Sequence, residues 1–419
     1  MKLSKRVGVA LALGIGFGGM AGTRAPAQDF LWTSTDGLRF SGRLLALEGS
    51  GDDLTFTIQA GSERRKVRAR DLVAGQLAGV AGASLDSGKS GSTVLLVGGD
   101  RLCGEVRGGE GSGETFLLWS TSLGERAIPV DRVQALLMRG SGSELSAEDL
   151  KVPEGGKSEE AIFRATRRGV DTILGSIDRF TRNGILFQPS EARAAQEYPF
   201  TTILGIALRN GQHSKERFPA RVLTRAGDHV AAAPISVSGD RIVLLIEGKQ
   251  QVSVPITEIA AVTLVSDDRS FLSDLEPFEV EERSFYGGQA RPLYPFQKDK
   301  AVGGSALCAD GQIFGKGLGV HSRSRLVFFV PQGRSRFHAL VGYDEEIKVL
   351  AWQRPRVDVR VLVDGKVIAN FAGLRAGEPP QNLGAIPVKP GQKLTLEVDY
   401  GPDADHADRV DWLNAVLLR

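Results

Sequence analysis

Val357-Asp358-Val359-Arg360-Val361-Leu362-Val363-Asp364-Gly365-Lys366-Val367-Ile368-Ala369 reads as a β-hairpin. Valine at every second position puts four apolar side chains on one face of a strand. Asp364-Gly365 is a two-residue turn of the type that suits the twist of antiparallel strands, and Val367-Ile368-Ala369 is the return. The same alternation extends outward. Phe337, Ala339 and Val341 form one inward row, and Leu394, Leu396, Val398 and Tyr400 form another after the turn Lys389-Pro390-Gly391. Arg325 to Val330 is a more continuous apolar strand, and Trp412 to Leu418 closes the set. Many alternating strands with turn signals at short intervals predict an antiparallel β-sandwich.

Three further phrases lie within this region: Gly315-Lys316-Gly317-Leu318-Gly319-Val320-His321-Ser322, Val341-Gly342-Tyr343-Asp344-Glu345-Glu346, and Asp405-His406-Ala407-Asp408-Arg409-Val410-Asp411-Trp412. In this order they resemble the NPCBM family, carbohydrate-binding modules appended to secreted glycosidases and to many bacterial surface proteins. The resemblance covers Leu275 to Arg419, and it implies a galactose-binding-like jelly roll that recognises glycans.

On that resemblance the ligand-binding candidates are His321, Asp344, Glu345, Trp352, Asp405, His406, Asp411 and Trp412. Gly315, Gly317 and Gly319 suit a backbone in close approach that delivers His321 to a fixed place. Its imidazole is either a sugar hydrogen-bonding group or a satisfied structural residue. Asp344, Glu345 and Glu346 are a solvated loop, a set of hydroxyl acceptors, or part of a structural Ca²⁺ site, since hard cations want clustered oxygens. Asp405, His406, Asp408 and Asp411 are the densest polar constellation. Trp412 is either a stacking face for a sugar or core, and Trp352 and Tyr343 are the other candidates for an aromatic platform.

The segment from Trp32 to Asp267 repeats itself. Openings at Asp36-Gly37, Gly99-Asp100, Gly169-Val170-Asp171 and Gly227-Asp228 are 64, 71 and 57 residues apart (100 − 36, 171 − 100, 228 − 171). Each unit closes on an apolar segment, a polar step and a second apolar cluster: Val67 to Leu72, Ile128 to Val133, Tyr198 to Ile203 and Val254 to Ile259. Such a unit holds four or five strands, marginal alone, so four paired barrel-like, SH3-like repeats are expected over 28–80, 93–139, 159–210 and 218–267. Pro129, Pro199 and Pro255 cannot donate to a ladder, which places their strands at an edge or starts them there. Ala81 to Ser92 and Gly140 to Ser158 read as linkers, with one short capped helix over Ser143 to Leu150.

The repeats show no nucleophile elbow, metal-ligand spacing or phosphate loop, and their histidines are His213 and His229. Gly108 to Gly113 lies between two strands and reads as a mobile hairpin loop rather than a phosphate cradle. Glu63-Arg64-Arg65-Lys66, with Arg68 and Arg70, reads as a solvated strand face.

Residues 1–27 read as a signal peptide: Lys2, Lys5 and Arg6 precede an apolar run from Val7 to Met20, and Ala25-Pro26-Ala27 suits signal peptidase. An uncleaved anchor is the alternative. Export to the periplasm, cell surface or medium is expected, with no later transmembrane span. Fifty-two basic against 50 acidic residues leave a net charge of +2, which offers no field for nucleic acid. Cys103 and Cys308 are the only cysteines, so a disulfide framework is excluded and one bridge at most remains open.

The sequence therefore points to an all-β, exported, non-catalytic protein that binds glycans through its C-terminal sandwich. A structural or adhesive envelope protein with protein partners is the rival reading. A glycoside hydrolase, needing two carboxylates about 5 Å apart in a cleft, is the remaining one.

Overall fold

The computed structural model describes residues 29–78, 91–110, 113–138, 147–154, 160–167, 169–210, 217–247, 250–285, 287, 294–347, 355–402 and 404–419. The expected signal peptide, Trp352, most of the first linker and much of the second lie outside the described residues. Of the expected Ser143 to Leu150 helix, the described part is a single 3-10 turn over Ala147–Asp149.

The N-terminal region is four five-stranded repeats. The first has β1 (Phe30–Ser34), β2 (Arg39–Glu48), β3 (Thr55–Ala60), β4 (Glu63–Arg68) and β5 (Leu72–Leu77). The second has β6 (Ser92–Leu96), β7 (Arg101–Glu110), β8 (Thr115–Ser120), β9 (Gly124–Pro129) and β10 (Val133–Leu137). The third has β11 (Glu160–Thr166), β12 (Gly169–Phe180), β13 (Gly184–Pro189), β14 (Gln196–Pro199) and β15 (Gly205–Leu208). The fourth has β16 (Ala220–Thr224), β17 (His229–Ser238), β18 (Arg241–Ile246), β19 (Gln250–Pro255) and β20 (Ile259–Leu264).

In every repeat the first four strands form an antiparallel meander and the fifth returns to pair with the first. The fourth strand stays at the edge, so the sheets are bent but not closed. Pro129, Pro199 and Pro255 sit at the ends of these edge strands, where a missing N–H interrupts no ladder. Single 3-10 turns then carry the chain across in the first, second and fourth repeats.

Pairing joins the repeats two by two. β5 pairs with β20 through Gln76↔Ala261 to Ala74↔Thr263, and β10 pairs with β15 through Ala135↔Ala207 to Leu137↔Gly205. A single apolar core runs through all four and includes Trp32, Phe56, Phe116, Phe187, Val222 and Leu244. Of the expected Gly108 to Gly113 loop, Gly108 and Gly109 belong to the end of β7 and are packed, while 111–112 lie outside the described residues. Gly109 N–H donates to Thr181 O at 2.7 Å, and a Cβ on Gly109 would lie 2.2 Å from Phe180 O, so glycine lets the second and third repeats touch.

The C-terminal region is two packed sheets. One contains β21 (Arg269–Phe271), β23 (Gln297–Lys298), β26 (Gly317–His321), β28 (Arg336–Tyr343), β31 (Gln381–Asn382), β32 (Ile386–Pro387) and β34 (Arg409–Leu418), in the path β23-β26-β34-β28-β31. The other runs β22 (Glu279–Glu282), β27 (Ser324–Phe329), β33 (Lys393–Tyr400), β29 (Arg356–Val363) and β30 (Lys366–Arg375). A small hairpin, β24 (Leu307–Ala309) with β25 (Gln312–Phe314), lies outside the first sheet. The valine row of β29 faces Phe337, Ala339, Val341, Val410 and Trp412 across the sandwich, all buried. Asp364 and Gly365 both take positive φ, 48° and 79°, the twist a tight hairpin requires. β21 pairs with β34, so this unit takes in residues ahead of Leu275.

Candidate functional site

The residues singled out in the sequence divide into a buried set and a surface set. β26 lies between β23 and β34, and the segment at Lys300 to Val302 crosses it closely: a Cβ on Gly319 would lie 2.4 Å from Lys300 O and 2.5 Å from Val302 N. The strand therefore ends with His321 held at one end of the sandwich. Its Nδ1–H donates to Ser322 O at 2.7 Å, which leaves Nε2 as the acceptor of the neutral ring. Burial holds its pKa below the usual histidine range.

Around His321 the chain gathers groups from distant segments. Tyr294 stacks on the imidazole with ring centroids 5.1 Å apart. The Arg409 guanidinium lies 5.1 Å from the Tyr294 ring on its way to an ion pair with Glu346. Asp405 contributes an attractive charge to His321, and its Oδ2 accepts from Ser284 Oγ at 3.0 Å and from Phe285 N–H at 2.8 Å. Phe285 is 50% exposed and meets Tyr400 edge-on at 5.2 Å. The Tyr400 hydroxyl donates to Arg283 O at 2.8 Å, fixing the supporting ring. His406 is exposed in the turn between Ala404 and Ala407, both at positive φ.

The second set lies inside. Trp412 is 1% exposed in the core between the sheets, so its indole presents no face to solvent. Asp344 and Asp411 are 2% and 1% exposed and lie against each other. Asp344 accepts from Cys308 N–H at 3.0 Å and Glu346 N–H at 2.8 Å. Burial, then the Asp344 charge, pushes the Asp411 carboxyl well above the usual range; as the neutral acid it can donate to Asp344. Asp408 is also buried and accepts from Tyr343 Oη at 3.1 Å and Ser322 Oγ at 2.5 Å, tying β28 to the end of β26. Glu345 turns elsewhere and accepts from Gly311 N–H at 2.6 Å.

A cation would find little here. Asp344, Glu345 and Glu346 are each aimed at a different partner, and among the described residues no group of three or more His, Cys, Asp and Glu side chains converges. The three acids do not fit a shared Ca²⁺. Cys103 and Cys308 are both free thiols.

Thus the structure joins His321 to Asp405, with His406 next in the chain, and separates them from Asp344, Asp411 and Trp412. Tyr294, Phe285, Tyr400 and Arg409 were missed as site residues. No motif marks them, since they converge only when the segments before β23 and after β33 meet at the sandwich end.

Residues 268–418 match the model of the NPCBM/NEW2 domain. The C-terminal sandwich is an NPCBM/NEW2 domain. Its match opens seven residues ahead of Leu275 (275 − 268), where β21 joins the sheet. Among solved structures, the chain is similar to a CBM51-2 and INT fragment of Clostridium perfringens ZmpB in complex with GlcNAc. Identity is 22% over 45% of this chain and 38% of that one, with a TM-score of 0.32. It is also similar to the CBM51 of Clostridium perfringens GH95 in complex with methyl-galactose, at 21% identity over 36% of this chain and 99% of that one, TM-score 0.31. The tandem CBM51 modules of Streptococcus pneumoniae Sp3GH98 match at 16% identity over 78% of this chain and 87% of that one, TM-score 0.31. The chain thus spans 38% of the length of the first of these structures. No curated protein matches the chain. Among the described residues no helix is long and apolar enough to cross a membrane.

Proposed function

We propose that this is an exported, non-catalytic protein that binds glycans at the sandwich end around Phe285, His321, Asp405 and His406. The observation that carries this reading is a half-exposed aromatic residue whose backbone N–H is held by the Asp405 carboxylate, which also acts on the His321 imidazole, in a carbohydrate-binding-module family domain. Aromatic faces cover the apolar face of a sugar ring, and nearby acceptors and donors fix its hydroxyls. Non-catalytic action is supported by the fate of the Asp344 and Asp411 carboxyls. They are adjacent but sealed from solvent, whereas glycoside hydrolysis needs its two carboxylates in an open cleft. The separate partners of the three acids after β28 support a reading in which binding needs no ion.

The test is glycan-array binding of the mature chain, with and without chelator. Phe285→Ala, Asp405→Asn and His406→Ala should each weaken retention on any glycan bound, by about ten-fold for the aromatic, while the melting temperature stays within a few degrees. Retention should survive chelation. Equal binding by all three variants removes the site. A blank array from folded protein transfers attention to protein partners of the repeats.

A further inference from the structure

The outer face of the five-stranded sheet, β22-β27-β33-β29-β30, divides into two halves. Leu326, Phe328, Leu394, Leu396, Val361 and Val363 enter the core of the sandwich, so strand alternation sends their neighbours outward. In the half nearer His321 those neighbours are ions that neutralise one another. Arg325 bridges Glu279 at 2.8 Å and Glu397 at 3.2 Å, and Arg360 bridges Glu397 at 3.2 Å and Asp399 at 3.0 Å. In the other half they are mostly apolar. One cross-strand row runs Val327, Thr395, Leu362, Val367, and the next sets Phe329 opposite Lys393. Phe278 and Phe329 are 59% and 45% exposed with ring centroids 4.6 Å apart, and Val367 and Ile368, at the far side of the row, are 46% and 44% exposed. The first repeat packs on the opposite sheet, so this face looks away from the rest of the molecule.

The turns that border the apolar half are basic. They abut through Asp364, whose Oδ1 accepts from Lys393 N–H at 2.9 Å and whose Oδ2 accepts from Gln392 Nε2 at 2.8 Å. Asp364-Gly365-Lys366 and Lys389-Pro390-Gly391-Gln392-Lys393 together hold three lysines and one carboxylate, a surplus of two positive charges (3 − 1). All three lysines are exposed, and among the described residues none is in an ion pair. Lys393 Nζ instead lies 5.2 Å from the Phe278 centroid and 5.9 Å from that of Phe329. The acids that flank Phe278 do not cancel this surplus, since Glu276 holds Lys298 at 2.7 Å and Glu279 holds Arg325.

We propose that this end of the five-stranded sheet rests on an anionic lipid bilayer. Phe278, Phe329, Val367 and Ile368 enter the boundary between headgroups and acyl chains, and Lys366, Lys389 and Lys393 meet the headgroup phosphates. A lipid surface answers both halves of the observation: the apolar side chains leave water together, and the unpaired ammoniums gain counter-charge. A neutral sugar ring would cover the two aromatic rings but would offer nothing to Val367, Ile368 or the surplus charge. Phe329 ends the strand that starts at Ser324 beside His321, about 17 Å away at roughly 3.3 Å per residue. Docking at this end therefore leaves the His321 end in solvent, and it is independent of glycan binding there.

The test is co-sedimentation of residues 28–419 with phosphatidylcholine vesicles and with vesicles containing 30% phosphatidylglycerol; omitting 1–27 keeps the apolar run Val7 to Met20 from entering the bilayer itself. Binding to the anionic vesicles is expected, at least ten-fold tighter than to the neutral ones and weakened by salt. Phe278→Ser with Phe329→Ser, and separately Lys366→Gln with Lys389→Gln and Lys393→Gln, should each weaken it by at least ten-fold with Tm within a few degrees of the wild type. Since every substituted side chain is exposed, the two variants check each other should one fold poorly. A parallel arm uses immobilised polygalacturonate. No binding to anionic vesicles overturns the proposal, and retention on polygalacturonate in that case assigns the surface to an acidic glycan. Vesicle binding unaltered by the phenylalanine changes also overturns it, because the apolar half of the face then takes no part.

Discussion

Asp411 is a carboxyl in the wrong solvent. It sits 1% exposed against Asp344, and burial together with the neighbouring charge raises its pKa well above the usual range. The unfolded chain ionises Asp411 near pH 4, whereas the folded chain retains the proton, so the stability it confers is full below pH 4 and is lost as pH rises toward the folded pKa. Asp411→Asn should therefore melt higher than the wild type at pH 8, and the gap should close toward pH 4; an equal gap at both values would separate this pair from the pH dependence. His338 acts in the opposite direction. It is fully buried against repeat 1, and burial lowers its pKa to about 4. The unfolded chain takes up this proton at about pH 6.5, so stability present above that value is lost as pH falls toward 4, by roughly 3 kcal/mol. His338→Gln should flatten the fall in Tm between pH 7 and pH 4.5; an unaltered slope would assign the acid sensitivity elsewhere.

At the scale of elements, the repeated Gly-Asp openings have different roles in different repeats. In the second and fourth they clasp each other. Asp228 Oδ1 accepts from Cys103 N–H at 2.8 Å, and Asp100 Oδ1 accepts from Ala231 N–H at 3.0 Å. The two contacts exchange under an offset of 128 residues, which relates Asp100 to Asp228 and Cys103 to Ala231 (228 − 100 and 231 − 103) and also the bridged pair Arg101 and His229, so the contact has an approximate two-fold symmetry. Asp228 also accepts from Ser120 Oγ at 2.9 Å and Thr224 Oγ1 at 2.8 Å. Asp228→Ala would leave three buried donors without an acceptor and should cost about 3 kcal/mol, read by chemical denaturation. A loss below about 1 kcal/mol would mean that water replaces the carboxylate. The openings were legible as a repeat because Gly and Asp recur beside turns. Their reciprocal contact was not, because it depends on which repeats meet, and irregular spacing does not encode that. The hairpin at Asp364-Gly365 shows the other extreme, where period and turn chemistry agree locally and leave one solution.

For the whole molecule, the decisive fact is that the sandwich does not stand free. Its period-2 rows predicted an inner face, and that face is buried as the pattern requires. The outer face of the seven-stranded sheet is buried too, against the first repeat: Phe271, Val416 and Leu418 pack on Val73 and Ala74. Polar contacts accompany them. Arg269 donates to Leu72 O and to Arg70 O, the latter at 3.2 Å, while Asn382 Nδ2 donates to Gly37 O at 2.8 Å. Arg39 Nη2 reaches Gln312 Oε1 at 2.6 Å, and Ile313 of the β24–β25 hairpin enters the core of the repeats. A strand buried on both faces is only visible in β34 as the apolar run Trp412 to Leu418, which sequence cannot distinguish from an ordinary closing strand. Cutting the chain at residue 268 would expose these apolar side chains and strand the buried His338 and Arg269 beside water. The isolated fragment 268–419 should then melt at least 5 °C below the sandwich signal of the whole chain and self-associate in size-exclusion chromatography, since apolar surface freed from an interface seeks a new one. Adding residues 29–267 as a separate polypeptide should restore the monomeric size by forming the one-to-one complex. A fragment that stays monomeric and melts with the whole chain would show that the repeats and the sandwich fold as independent bodies.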